Sequence, residues 1–136
     1  MADRLHSAAI HLSRRLRAED EALGISAPRL SVLSVLVSGG PQRIGALAHV
    51  EQVEPPTMTR LVDRLERDGY IHRSPDPDDA RAVRVVATER GRDALSEGRR
   101  RRVQAFSTLL AGLSGRELTQ LARGVEVLER SLEALR

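Results

Sequence analysis

A chain of 136 residues falls in the size range of one domain, and folding at this length removes roughly 68% of the unfolded surface, enough for a core without disulfide or metal staples. It contains no Cys, one Tyr (Tyr70) and one Phe (Phe106), which excludes thiol chemistry, zinc ribbons and the aromatic platforms that stack on single-stranded nucleic acid. All 22 basic residues are Arg, yet 19 acids leave a net charge of only +3, so the distribution of charge has to carry any argument about an anionic partner.

Along the chain, Leu5, Ala9, Leu12 and Leu16 recur at spacings of four, three and four, which places them in one narrow stripe of a helix running to about Asp20. A seam that narrow calls for a partner helix. After the interruption "GISAP", Ser26 as N-cap and Pro28 in the first turn open a second helix with Leu30, Leu33 and Val37 on one face, and "SGGP" at residues 38–41 ends it. A short third helix from about Gln42 to Val50 points Ile44, Leu47 and Ala48 inward. The fourth starts near Pro55 and Pro56. At the helical period Met58, Leu61, Val62 and Leu65 fall on one side, and Pro56, Thr57, Arg60, Asp63, Arg64 and Arg67 fall opposite.

Gly69 stands where a left-handed cap is wanted, and "YIHR", the turn cluster "SPDPDDA" and "RAVRVVA" read as two short strands joined by a hairpin. Thr88 caps a fifth, long helix to about Leu110, whose first half Gly91 and Gly98 are expected to weaken. Ser114 and Glu117 form a capping box for a sixth helix carrying Leu118, Leu121, Val125, Leu128, Leu132 and Leu135, a sustained a/d seam. Helix, turn, helix and hairpin in this order predict a mainly α winged helix-turn-helix protein with six helices and a small β-hairpin wing. The chain is expected to form one domain over 1–136, with a DNA-binding lobe at 26–88. Residues 1–25 and 89–136 would be dimerisation helices, the interface running through Leu5, Leu12, Leu16, Leu118, Leu121, Val125, Leu128 and Leu132.

The two-sided fourth helix points to double-stranded DNA, because a helix in a major groove presents donors along one face while the other packs on its neighbour. From Arg60 to Arg84 the chain has six Arg and six acids, so geometry must separate the signs. Asp79 is expected to pair with a nearby Arg and hold the wing turn, with Asp76 and Asp78 as turn formers. Arg81 at the edge of the turn suits a narrow, electronegative minor groove. The run "RRRR" at 99–102 wraps around a helix and reads as solvated and ion-paired. His6, His11, His49 and His72 lack ligand spacing and no Ser has a nucleophile-elbow context, so no metal, no cofactor and no enzyme activity are expected. Without an apolar run near the ~20 residues of a membrane span, the expected place is the cytoplasm, with no membrane partner.

The residues "VEPPTMTRLVDRLERDGYIHRSPDPDDARAVRVVATERG" resemble the core of the MarR family of bacterial transcription regulators. The likeness covers the fourth helix, its Gly cap, the Asp-rich wing turn with Asp79-Ala80-Arg81, and the start of the fifth helix. It implies a homodimer with interlocked terminal helices whose two lobes read a palindromic operator, usually as a repressor. The DNA-reading positions of the family fall on Thr57, Thr59, Arg60 and Arg64, beside Pro56, and on Arg81 at the wing with Arg84 nearby. Gln42 and Arg43 match positions that approach phosphates. Ala80 replaces a second wing Arg found in many relatives, and the first helix is shorter than usual. The resemblance also implies a small aromatic or lipophilic anion as effector, bound near the first, second and fifth helices, with Arg15 and His11 as candidate cleft residues. The alternative left open by the residues is a helical protein-protein interaction module without specific DNA binding.

Overall fold

Apolar side chains from three helices and a small sheet converge on one core: Val32, Leu33 and Leu36, Leu47 and Ala48, Met58, Val62 and Leu65, and Ile71, Val85 and Ala87 are all buried. In this computed structural model, which describes residues 1–134, the elements are α1 (Ala2–Leu23), α2 (Ala27–Gly39), β1 (Gln42–Arg43), α3 (Ile44–Val50), α4 (Pro55–Arg67), β2 (Ile71–Asp76), β3 (Asp79–Ala87), α5 (Glu89–Leu110) and α6 (Gly115–Glu133). The helix, turn, helix and hairpin order is that of a winged helix. The chain divides into two compact units, Met1–Arg102 and Val103–Arg136.

In the first unit the third helix begins later than the sequence pattern suggests. Gln42 and Arg43 do not open α3; they form β1, opposite Val85 and Arg84 of β3, and the sheet has three strands in the order β1-β3-β2. Pairing with β3 satisfies backbone groups along an edge that a two-stranded hairpin would leave open. The hairpin itself keeps its register from Ile71↔Ala87 to Pro75↔Val83, then slips at Asp76↔Asp79. Pro75 is tolerated because β2 is an edge strand.

The face assigned to α2 also changes. Leu30, Val32, Leu33 and Leu36 are buried, whereas Val37 is 39% exposed. A helix covered on more than one side buries positions that a single-stripe pattern assigns to solvent, and "SVLSVLV" is apolar enough to permit it. Pro28 stands in the first turn of α2 and Ser26 is its N-cap, though without a side-chain cap bond.

Gly91 and Gly98, expected to weaken α5, are both buried. At Gly91 a Cβ would overlap the Tyr70 carbonyl oxygen and stand 3.2 Å from Leu33 Cδ2. Glycine there permits close approach of α5 to the start of the wing. Thr88 fixes the approach: its hydroxyl donates to the Gly69 carbonyl at 2.7 Å and accepts from the Gly91 N–H at 3.1 Å, and its own N–H donates to the Tyr70 carbonyl at 3.0 Å.

The second unit comprises the end of α5, a turn and α6. The predicted capping box is formed, with Ser114 accepting from the Glu117 N–H and the Glu117 carboxylate accepting from the Ser114 N–H. No residue of α6 is buried. Leu118, Leu121, Val125, Leu128 and Leu132 are between 40% and 62% exposed, and Leu135, the last residue of that seam, lies outside the described residues.

Candidate nucleic-acid interface

Two prolines at the start of α4, Pro55 and Pro56, lack the N–H groups that a first turn would leave unsatisfied, and their fixed φ suits helix entry. The turn before them is tight: Gln52 takes a left-handed φ of 53°, and the Val53 N–H returns to the Ala48 carbonyl at 3.0 Å. Met58, Val62 and Leu65, each 0% exposed, pin the inner face of α4 to the core. Pro56, Thr57, Thr59, Arg60 and Arg64 lie exposed on the other side. The Thr59 hydroxyl donates to the Pro55 carbonyl at 3.0 Å, which leaves its oxygen able to accept. Thirteen residues make a rod about 20 Å long, and a major groove about 12 Å wide admits such a helix.

The balanced charge of this region resolves into two classes. Every acid between Arg60 and Arg84 has a basic partner. Asp63 and Glu66 both bind Arg73 of β2, Asp68 binds Arg29 of α2, Asp76 binds Arg43 and Arg84, Asp78 binds Arg84, and Asp79 lies 3.5 Å from Arg81 Nε. Among the described residues, Arg60, Arg64 and Arg67 of α4 have no acidic or hydrogen-bonding side-chain partner. The acids interleaved with these arginines in sequence are turned toward other cations, so the outer face of α4 presents uncompensated guanidinium groups.

At the wing, the Asp79 carboxylate accepts from the Arg81 N–H at 3.0 Å, the turn-holding role expected of it. The Arg81 guanidinium remains 94% exposed. Asp76 accepts from the Asp78 N–H at 2.9 Å, as a turn former does. Sequence reasoning did not anticipate its second role: its carboxylate is buried and also takes Arg43 Nε at 2.6 Å and Arg84 Nε at 3.0 Å. The Arg43 hydrogen bond, with the other donors, holds the Asp76 pKa far below the usual carboxylate range, and the same contact raises that of Arg43. Asp78 spends its charge on Arg84 Nη2 at 2.8 Å. Arg84 therefore sits beside the wing with both arms engaged, while Arg43 keeps half of its side chain open to solvent and Gln42 is half-buried.

Another unforeseen contact lies behind the interface, where Tyr70 carries the Arg29 and Arg90 guanidinium groups at 5.8 and 5.1 Å from its ring centre. No local pattern signals it, since Arg29 of α2 meets Tyr70, in the turn between α4 and β2, only when the chain folds.

A family model described as the MarR family matches residues 25–83. An HTH-type transcriptional regulator of Mycobacterium bovis is 34% identical over 128 residues, or 94% of this chain and 90% of that protein. The chain belongs to the MarR family. The HTH-type transcriptional repressor IacR of Pseudomonas putida is 27% identical over 113 residues, 83% of this chain and 68% of that protein. Among solved structures, transcriptional regulator Tm0710 of Thermotoga maritima matches with a TM-score of 0.81 and 27% identity, covering 98% of this chain and 94% of that one. As a MarR-family member, the chain is a transcriptional regulator with a DNA-binding fold and not an enzyme. No single helix among the described residues is long and apolar enough to cross a membrane.

In this MarR-family chain a cleft of about 440 Å³ opens between α1, α2 and α5, lined by Ser13, Leu16, Arg17, Asp20, Leu30, Ser34, Leu95 and Arg102 among others. Neither Arg15 nor His11 lines it; Arg17 does. Leu16, assigned to the dimer seam by its spacing, contributes to this wall and is half-buried, as is Leu12, whereas Leu5 is 47% exposed. Asp20 is buried and binds Arg102 at 2.8 Å, which spends one cation of the Arg run inside the cleft. Arg100 and Arg101 pair with Glu97, each at 2.8 Å.

Proposed function

We propose that this MarR-family regulator is a homodimeric repressor that occupies an inverted-repeat operator in double-stranded DNA in the cytoplasm and is released by a small aromatic or lipophilic anion. The observation that carries the reading is the sorting of charge on α4: Arg60 and Arg64 stand unpaired on an exposed face while all six acids around them are engaged elsewhere. Forked donors in that position suit guanine edges. Thr57, Thr59 and Pro56 complete the groove face, Arg81 enters the flanking minor groove, and Gln42, Arg43 and Arg84 serve the backbone at its base. In this reading residues 26–88 are the DNA-binding lobe, and 1–25 with 89–136 supply the dimer contacts.

Support for the homodimer comes from α6, whose Leu118, Leu121, Val125, Leu128 and Leu132 form an apolar seam that water covers poorly and a second copy would cover well. Leu5, Leu12 and Leu16 of α1 are read as further dimer contacts, and a two-fold pairing of copies suits a two-fold operator. Half-sites would then lie about 34 Å apart. A repressor role is supported by the name carried by the Pseudomonas putida relative. The cleft beside Arg17 and Arg102 is large enough for a small effector.

Selection of bound duplexes from a random DNA pool tests the reading, with affinity for the enriched sequence followed against salt. An inverted repeat and a steep negative log-log slope are expected, at about 0.9 per phosphate contact. Arg60→Ala should cost about 1 to 3 kcal/mol of specific binding and leave dimerisation intact. Failure to enrich any motif would favour the protein-interaction module instead.

A further inference from the structure

The Asp76 carboxylate lies beside the wing tip yet has no exposed surface. Three donors from three segments converge on it: Arg43 Nε of β1 at 2.6 Å, Arg84 Nε of β3 at 3.0 Å, and the Asp78 N–H of the turn at 2.9 Å. Arg43 and Arg84 also face each other in the β1–β3 register, so the carboxylate ties one cross-strand pair to the turn. A buried charge is tolerated when its donors are in place and costly when they leave, so the three segments hold one mutual arrangement. β1 runs directly into α3, and Arg81 stands three residues before Arg84 on β3.

We propose that Asp76 is a positioning residue for DNA reading, a buried anion that locks the wing to the entry of the helix-turn-helix so that Arg81 and Arg43 meet the duplex in a fixed geometry. The proposal rests on the operator-reading function above. It predicts an effect opposite in sign to bulk electrostatics. Removing an acid close to bound DNA should tighten binding if charge alone mattered; removing this one frees Arg43, leaves Arg84 held by Asp78 alone, and weakens the specific complex.

The test compares wild type, Asp76→Asn, Arg81→Ala and the double variant on the enriched duplex and on a scrambled duplex of equal length, by fluorescence anisotropy at two salt concentrations. Asp76→Asn is expected to lower affinity for the enriched duplex at least about tenfold while affinity for the scrambled duplex is unchanged or rises. Arg81→Ala should weaken the wild type, but add less than about threefold to Asp76→Asn, because the wing no longer docks in register. Full additivity, unchanged specific affinity, or an equal loss on both duplexes would overturn the positioning role. Should Asp76→Asn fail to fold, Asp76→Glu, which keeps the charge but displaces the carboxylate from its three donors, enters the same cycle with the same expected non-additivity. A wild type that binds both duplexes alike would instead refute operator reading itself.

Discussion

Gly91→Ala and Gly98→Ala, two identical changes one heptad apart in α5, should have opposite signs. In an unconstrained helix each would stabilise by about 0.8 to 1 kcal/mol, since Gly is that much poorer than Ala. At Gly98 the added methyl would lie 3.4 Å from Leu23 Cδ2 and 3.5 Å from the Leu30 methyl groups, so the gain is kept, at about 0.5 to 1 kcal/mol. At Gly91 the methyl would overlap the Tyr70 carbonyl oxygen and stand 3.1 Å from the carbonyl carbon. Relief requires α5 to withdraw by about 1 Å, an overpacking cost of about 1 to 3 kcal/mol. Withdrawal also strains the Thr88 bonds to the Tyr70 and Gly69 carbonyls, each worth about 1 kcal/mol. The net expectation is a loss of about 2 kcal/mol, after subtracting the helix-propensity gain. Urea unfolding of wild type and both variants at one protomer concentration measures it, because oligomers make apparent stability concentration-dependent. Equal stabilisation by both alanines would refute the argument that close approach, and not helix weakness, is the reason for Gly91.

Met58→Ala empties a fully buried site on the inner face of α4 and should cost about 2 to 5 kcal/mol in urea unfolding; Val50→Ala, at a position 58% exposed, should stay within about 0.5 kcal/mol, and similar losses at the two sites would contradict the core assignment. Leu128→Asp should yield monomers in sedimentation and abolish operator binding, since a single lobe makes too few contacts; retained operator affinity would sink the dimer mechanism. Hydrogen bonds from Arg100 and Arg101 lower the Glu97 pKa from 4.5 to about 2, so its ion pairs stabilise the fold above pH 4.5 and that contribution is lost as pH falls toward 2. The difference in Tm between wild type and Glu97→Gln should therefore be constant above that window and shrink within it, whereas a pH-independent difference would rule out the carboxylate as its source.

Much of the architecture was legible because it depends on local chemistry. Apolar spacing marked the inner face of α4, Gly69 with its φ of 78° marked a left-handed cap, and Ser114 with Glu117 marked the start of α6. Each signal acts within one or two turns of chain, so neighbouring residues suffice to specify it. The outer face of α4 was legible for the same reason, since exposure of Thr57, Arg60 and Arg64 follows from burial of Met58, Val62 and Leu65.

Long-range pairing was not legible. β1 exists because two residues after Pro41 find an open edge on β3, some forty positions later. Gly91 reads as a helix weakness until the Tyr70 carbonyl is set against it. The sequence by itself determined the order of elements, the faces they present and an equal count of acids and arginines through the reading segment. Only the tertiary structure decided which of those arginines are neutralised. A carboxylate acts over a few ångströms of space and not along the chain, and folding turns Asp63 and Glu66 toward Arg73, and Asp76 toward Arg43 and Arg84, leaving Arg60 and Arg64 unpaired on α4.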